Sequence, residues 1–171
     1  MPENIINKIE LKPRDRLIIS IDVSTEEELV SLCHKVGNNV STLKLGLELL
    51  YSCDLKVIDI VKSFGYGVML DAKLMDIPNT VSQAVSAIVK LNVDKVTLHT
   101  LGGTRMIADA RERAHLAAKD LNIFPPLLFG VTILTSLDNN DLAVMGFKDD
   151  YLGAVLNLAG QAIENGIDGI I

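Results

Sequence analysis

The sequence predicts an α/β fold, a (β/α)8 TIM barrel that is incomplete here, with about six βα units present. Three observations point there. Short β-branched runs alternate with helical stretches along the whole of the 171 residues. Those runs are apolar on both faces, as strands of a covered parallel sheet must be. No G-x-G-x-x-G follows the first run, which counts against a dinucleotide-binding doubly wound sheet.

The elements follow in order. Leu17-Ile18-Ile19-Ser20-Ile21-Asp22 reads as the first strand. Ser24 and Glu27 stand at capping-box spacing before a helix that runs to about Gly37, a suitable residue just past a helix end. Thr42 to Gly46 is the second strand, and Leu47 to Phe64 a helix stopped at Gly65. Gly67 to Lys73 is the third strand, followed by a helix from about Pro78 to Leu91. Lys95 to His99 is the fourth, and Thr104 to Leu121 the next helix. Leu127 to Leu134 is the fifth strand, with helices near Asp138–Met145 and from Tyr151 to Glu164. Gly166 to Ile171 looks like the entry into a sixth strand. Linkers are short, and neither a domain boundary nor a low-complexity tract is visible.

A complete barrel takes ~250 residues, so the chain is expected to stop inside strand six, two units short. A domain seldom ends on an apolar strand with no helix to cover it. The expectation is therefore one partial barrel domain over residues 1–171, a fragment or a gene product cut short, with residues 1–15 as an N-terminal extension.

Composition bounds the function. Apolar residues make up 49% and charged residues 22%, as in a globular protein; aromatics are only 4%, so the core must be aliphatic. The net charge of −6 argues against a nucleic-acid surface, whereas a small anion needs only a few local cations. Cys33 and Cys53 lack metal-ligand spacing and fall in helical patterns, which reads as reduced packing residues in a reducing compartment. The first sixteen residues are polar and contain acids, unlike a signal or transit peptide. No apolar stretch approaches the ~20 residues of a membrane span. A cytoplasmic location is the default expectation.

In a barrel, polar residues at the C-terminal ends of strands face the active site. Here these are Asp22, Lys44, Asp71 and Lys73, His99, and then Thr132, Thr135 and Ser136. Asp71 and Lys73 are two apart on a strand and should share a face. Asp76 follows in the loop opening the next helix. Carboxylate, ammonium and carboxylate, with Lys44 nearby, would form an alternating charge array in which each group keeps its neighbours ionised. Such an array can set a lysine as proton donor beside carboxylates that repel an anionic substrate group.

Structural readings stand beside these. Asp76 before Ile77-Pro78 reads equally as an N-cap, Asp22 as a turn residue, and Lys44 as one half of a surface ion pair. His99 is expected to be a satisfied strand-end histidine. Gly102-Gly103 reads as a phosphate cradle at a helix start or equally as a tight βα turn. Glu26-Glu27-Glu28 is a solvated helix start, His34 and His115 take no role, and Met69, Met75, Met106 and Met145 serve packing.

The segment Asp71-Ala72-Lys73-Leu74-Met75-Asp76-Ile77-Pro78-Asn79-Thr80 resembles the signature D-x-K-x-x-D-I-P-x-T of the orotidine 5′-monophosphate decarboxylase family. Supporting pieces fall in the family's order. Ile21-Asp22 ends strand one, Lys44 to Leu49 is similar to its K-x-G-x-E-L, and His99 precedes Gly102-Gly103. Val131 to Ser136 resembles its V-T-x-L-T-S. The likeness spans residues 16–171.

The resemblance implies decarboxylation of orotidine 5′-monophosphate to UMP, the last step of de novo pyrimidine nucleotide synthesis, without metal or cofactor. It makes Lys73 the proton donor to C6 and places Asp71 against the substrate carboxylate. Lys44 and Asp22 would contact the ribose, and Thr135 and Ser136 would lie by the pyrimidine. It also implies a homodimer with shared active sites, in which Asp76 and Thr80 reach the substrate of the neighbouring subunit. The family's phosphate-gripping loops follow strands seven and eight, which this chain lacks, so the 171-residue chain alone is expected to be unstable or inactive.

Two rivals remain. Mg-dependent 3-keto-gulonate 6-phosphate decarboxylases and hexulose-phosphate synthases share the D-x-K-x-x-D hexad. They place an acid where Lys44 stands and lack the Ile-Pro-x-Thr that follows here. The other rival is a non-catalytic barrel half acting as an assembly or binding module.

Overall fold

The computed structural model describes residues 11–148 and 150–171. Most of the expected N-terminal extension over residues 1–15 lies outside the described residues. The chain gathers into two compact units, one ending at Gly67 and the other spanning Val68–Ile171.

In the first unit, β1 (Ile18–Ile21) and β2 (Thr42–Leu45) pair in parallel, with Ser20 opposite Lys44 and Ile21 opposite Leu45. A 3₁₀ turn at Pro13–Arg16 precedes them, and the Ser41 N–H donates to the Arg14 carbonyl at 3.1 Å. The crossover helix α1 (Glu26–Val36) buries Leu29 and Cys33. Its cap is one residue later than the Ser24–Glu27 spacing suggests. Thr25 is extended, its hydroxyl oxygen accepts the Glu28 N–H, and the Glu28 carboxylate accepts the Ser24 N–H and the Thr25 hydroxyl. Glu28, not Glu27, sits three residues into the helix from that cap and can reach back. Gly37, at φ 53°, ends the helix. The Tyr66 hydroxyl shares its proton between the carbonyls of Cys33 and Gly37, tying the helix end to the chain before the third strand.

The single helix expected from Leu47 to Phe64 is two helices, α2 (Leu47–Cys53) and α3 (Val57–Ser63). Asp54 takes a φ of 62°, and its carboxylate accepts the Lys56 N–H at 2.7 Å. A short acid that bonds its own backbone two residues on competes with the helical ladder, and here it wins. Cys33 and Cys53 are both free thiols.

The second unit carries β3 (Gly67–Leu74), β4 (Lys95–His99), β5 (Leu127–Val131) and β6 (Gly169–Ile170), all parallel and adjacent in sequence order. A doubly wound sheet would reverse its strand order at a switch point; sequential order is the pattern of a (β/α) barrel, as expected. Val68, Met69, Leu70 and Asp71 are buried in succession, the mark of a strand covered on both faces. Between strands, α4 (Pro78–Val89) buries Val81, Val85, Ile88 and Val89 at helical spacing. It packs on α5 (Thr104–Leu121), whose buried stripe of Met106, Ile107, Ala110, Ala114 and Ala118 is mostly alanine and permits close approach.

Two aspartates fix the strand register. The Asp94 N–H donates to the Val68 carbonyl while its carboxylate accepts the Val68 N–H at 2.7 Å. Asp168 does the same to Leu128, at 2.9 and 2.8 Å. Each stands immediately before or at the entry to a strand and grips the start of the preceding one. β5 stops at Val131, short of the expected Leu134, because the chain turns there, with the Leu137 N–H on the Leu134 carbonyl. That loop is anchored by α6 (Asn139–Val144) and α7 (Tyr151–Glu164) through a cluster of Ile133, Leu142 and Ala154 with Leu137, Phe147 and Val155. Asp138 and Asp141 close a capping box on α6.

Two measurements check this account. Asp94→Ala orphans the buried Val68 N–H and is expected to lower unfolding free energy in urea by about 1–3 kcal/mol; an unchanged midpoint would contradict the register clamp. The Asp138 carboxyl lies below its ordinary value of 3.8 because the N–H groups of Asp141 and then Asn140 bond its charged form. A carbon-detected titration should place its midpoint below 3.8. Its capping contribution is then complete above the unfolded value and lost as pH falls through the depressed folded one.

Candidate active site

The C-terminal half of β3 is irregular, and the irregularity builds the site. Leu70 pairs with Val96 and Leu74 with Leu98, so four residues of β3 advance while β4 advances two. The surplus is a bulge over Asp71, Ala72 and Lys73, within which Lys73 has a φ of 46°. A left-handed conformation costs a β-carbon residue roughly 1–2 kcal/mol and persists only where surrounding bonds hold it.

Those bonds are present. The Lys73 backbone N–H donates to the Thr97 hydroxyl oxygen at 2.9 Å. The Thr97 hydroxyl donates to one Asp71 carboxylate oxygen at 2.8 Å, and the Lys73 ammonium donates to the other at 2.8 Å. Thr97 is fully buried and Asp71 is 4% exposed, while the Lys73 side chain keeps about a third of its surface open. The pairing of Asp71 with Lys73 was expected from their two-residue spacing. In the structure the two side chains do meet, within a bulge rather than along a regular strand.

Thr97 was not singled out from the sequence. A threonine between Val96 and Leu98 is an ordinary strand residue, and only its place opposite the bulge gives it work. His99 departs from expectation as well. Its Nδ1 is buried and has no hydrogen-bond partner among the described residues, so it is not a satisfied histidine. Burial first, and then the Lys73 ammonium, push its pKa below 6.5 against a weaker opposing pull from Asp71.

The other expected residues divide by location. In the first unit, Asp22 directly follows β1 and accepts the Ser20 hydroxyl at 3.0 Å, while Lys44 is half-buried on β2 opposite Ser20. In the second unit, Asp76 is exposed and its carboxylate accepts the Ile77 N–H at 2.6 Å. Ile77, not Asp76, is the N-cap of α4, with Pro78 in the first turn. Thr80 is exposed on the first turn of α4, and Thr135 and Ser136 are exposed in the loop after β5. Gly102 and Gly103 form the tight turn: the Gly103 N–H is taken by the Thr100 carbonyl, and a β-carbon at Gly102 would collide with the Met106 sulfur. Among the described residues no three His, Cys, Asp or Glu side chains gather as a metal-binding group, and no helix is long and apolar enough to cross a membrane.

Chemically, the arrangement holds a partly open ammonium against a buried carboxylate beside a histidine driven toward neutrality. For His99 the sign is definite. Its folded pKa lies below the unfolded 6.5, so stability is complete above that value and falls as pH drops below it, where the unfolded chain binds the extra proton. A ring-proton titration should give a midpoint under 6.5, and His99→Gln should flatten that limb of the stability curve. A midpoint at or above 6.5 would overturn the burial argument.

Comparison with known proteins identifies the family. Residues 15–171 match the model of the "Orotidine 5'-phosphate decarboxylase / HUMPS family". An orotidine 5'-phosphate decarboxylase of Carboxydothermus hydrogenoformans is 38% identical over 161 residues, covering 92% of this chain and 65% of the relative. One from Lawsonia intracellularis is 38% identical, covering 91% and 67%. Among solved structures, orotidine 5'-phosphate decarboxylase from Lactobacillus acidophilus superposes with a TM-score of 0.83 at 34% identity, over 92% of this chain and 70% of that one. The chain thus spans about two thirds of the length of the relatives it matches. Matched over nearly its whole length, and with the sequential strand order of its fold, the chain belongs to the orotidine 5'-phosphate decarboxylase / HUMPS family.

Proposed function

We propose that the protein decarboxylates orotidine 5′-monophosphate to UMP, with Lys73 as proton donor and no metal or cofactor, as a cytoplasmic enzyme of pyrimidine nucleotide synthesis. The observation that carries this reading is the Lys73 ammonium held at 2.8 Å by a buried Asp71 carboxylate. The bond from C6 to the carboxylate breaks, carbon dioxide leaves, and the electron pair stays on C6. The Lys73 Nζ–H then supplies the proton that C6 needs. Asp71, fixed by two donors, presents negative charge where the substrate carboxylate would sit, which disfavours the ground state more than the transition state. Asp22 and Lys44 are assigned to substrate binding with Thr135 and Ser136, in keeping with their positions at or just past strand ends.

Asp76 and Thr80 fit a homodimer with shared sites. Both are exposed, and Met75 and Ile77 beside Asp76 are 54% and 67% exposed, an apolar pair suited to a protein neighbour. The rival reading is a Mg-dependent sugar-phosphate lyase with the same hexad; Lys44 and Ile77-Pro78-Asn79-Thr80 favour the nucleotide substrate.

In the full-length protein, Lys73→Ala is expected to lower decarboxylation by roughly 10²–10⁴-fold, the usual contribution of a positioned proton donor. Turnover should survive exhaustive chelation; strict Mg²⁺ dependence with a sugar-phosphate substrate would favour the lyase reading instead. Mixing Lys73→Ala with Asp76→Ala protein should restore activity through hybrid dimers, since one of their two sites then contains both native residues. No recovery in a sample shown to exchange subunits would place Asp76 in the site of its own chain.

A further inference from the structure

Thr97 makes two bonds with a single hydroxyl, and their directions are forced. The Lys73 backbone N–H can only donate and the ionised Asp71 carboxylate can only accept, so the hydroxyl proton points to Asp71 and a lone pair faces Lys73. The same atom therefore holds the left-handed backbone of Lys73 and one oxygen of the carboxylate that grips the Lys73 ammonium. Its bulge partner strand is clamped at the other end by Asp94, and Thr97 itself has no exposed surface. A hydroxyl so placed bears both on the backbone that carries Nζ and on the carboxylate that holds it.

We propose that Thr97 is a positioning residue, which sets the backbone of Lys73 and the rotamer of Asp71 so that the ammonium is aimed before substrate arrives. This rests on the role of Lys73 proposed above. Valine has the shape of threonine without the hydroxyl, and in its place it would leave the part-buried Lys73 N–H without this acceptor and Asp71 with one donor fewer. Serine keeps the hydroxyl and drops only a methyl group. Cysteine keeps similar bulk with a weak S–H donor.

The test uses the full-length protein and the series Thr97→Ser, Thr97→Cys and Thr97→Val. Misplacement of a reacting group by about 1 Å can lower rate on the order of 10²-fold. Thr97→Val is accordingly expected to lower kcat per folded molecule by about 10–100-fold, with KM changed by less than about twofold. Thr97→Ser should restore kcat, and Thr97→Cys should fall between and serve as the measured variant if Thr97→Val does not fold. A second readout needs no substrate: the amide proton of Lys73 should move upfield in the valine variant as its hydrogen bond is lost, and return in the serine variant. If valine lowers melting temperature while kcat of the folded fraction stays at the wild-type level, Thr97 is only structural and the proposal fails. It fails equally if serine is no better than valine. Should the wild-type protein not decarboxylate orotidine 5′-monophosphate at all, the function reading falls, and the Lys73 amide resonance still decides whether Thr97 sets its backbone.

Discussion

A buried carboxylate is the constraint around which the second unit is arranged. Asp71 is 4% exposed and follows Val68, Met69 and Leu70, which are apolar and buried. An ionised group there is tolerable only if both oxygens are bonded and a cation is close. Thr97 supplies one bond and Lys73 supplies the other together with the charge. The bulge in β3, the left-handed turn at Lys73 and the polar residue in the interior of β4 all follow from that requirement. Removing Thr97 or Lys73 would take a donor from the carboxylate, and removing Thr97 would also take the acceptor from the Lys73 N–H.

The sheet makes such precision possible because its opposite end is held independently. Asp94 and Asp168 each seize both backbone groups of a residue on the preceding strand, so register is set where the strands begin. Irregularity can then be confined to where they end, which is where bulges are commonly found beside reactive groups. The alanine-rich face of α5 lets α4 lie close, and α4 opens directly after the segment carrying Asp76. The loop with Thr135 and Ser136 is closed by the Leu137 N–H on the Leu134 carbonyl and held by the small cluster around Leu142.

His99 gives the site its second electrostatic feature. A neutral ring next to an ammonium is the lower-energy state because a second positive charge would be both desolvated and repelled. Its buried Nδ1 lacks a partner among the described residues, so the site keeps one unspent hydrogen-bonding atom close to Lys73. The chain represents about two thirds of the relatives' length.

Much was readable from the sequence alone. The limits of β4, α5 and α7 coincide with the expected ones, since long periodic patterns closed by glycine or flanked by caps leave little choice. The Asp71–Lys73 pair and the parallel barrel order were also legible, the first from a charged couple in an apolar run and the second from unbroken alternation. Local competition hid other features: Asp54 split a helix that hydrophobic periodicity had joined, and Thr25 took a cap that Ser24 could equally have filled. Tertiary structure alone decided the bulge, the handedness of Lys73, the roles of Thr97 and the isolation of His99. Each depends on which residue of one strand lies opposite which residue of the next, and that register is set by bonds between segments 26 residues apart, such as Asp94 to Val68, which no local pattern records.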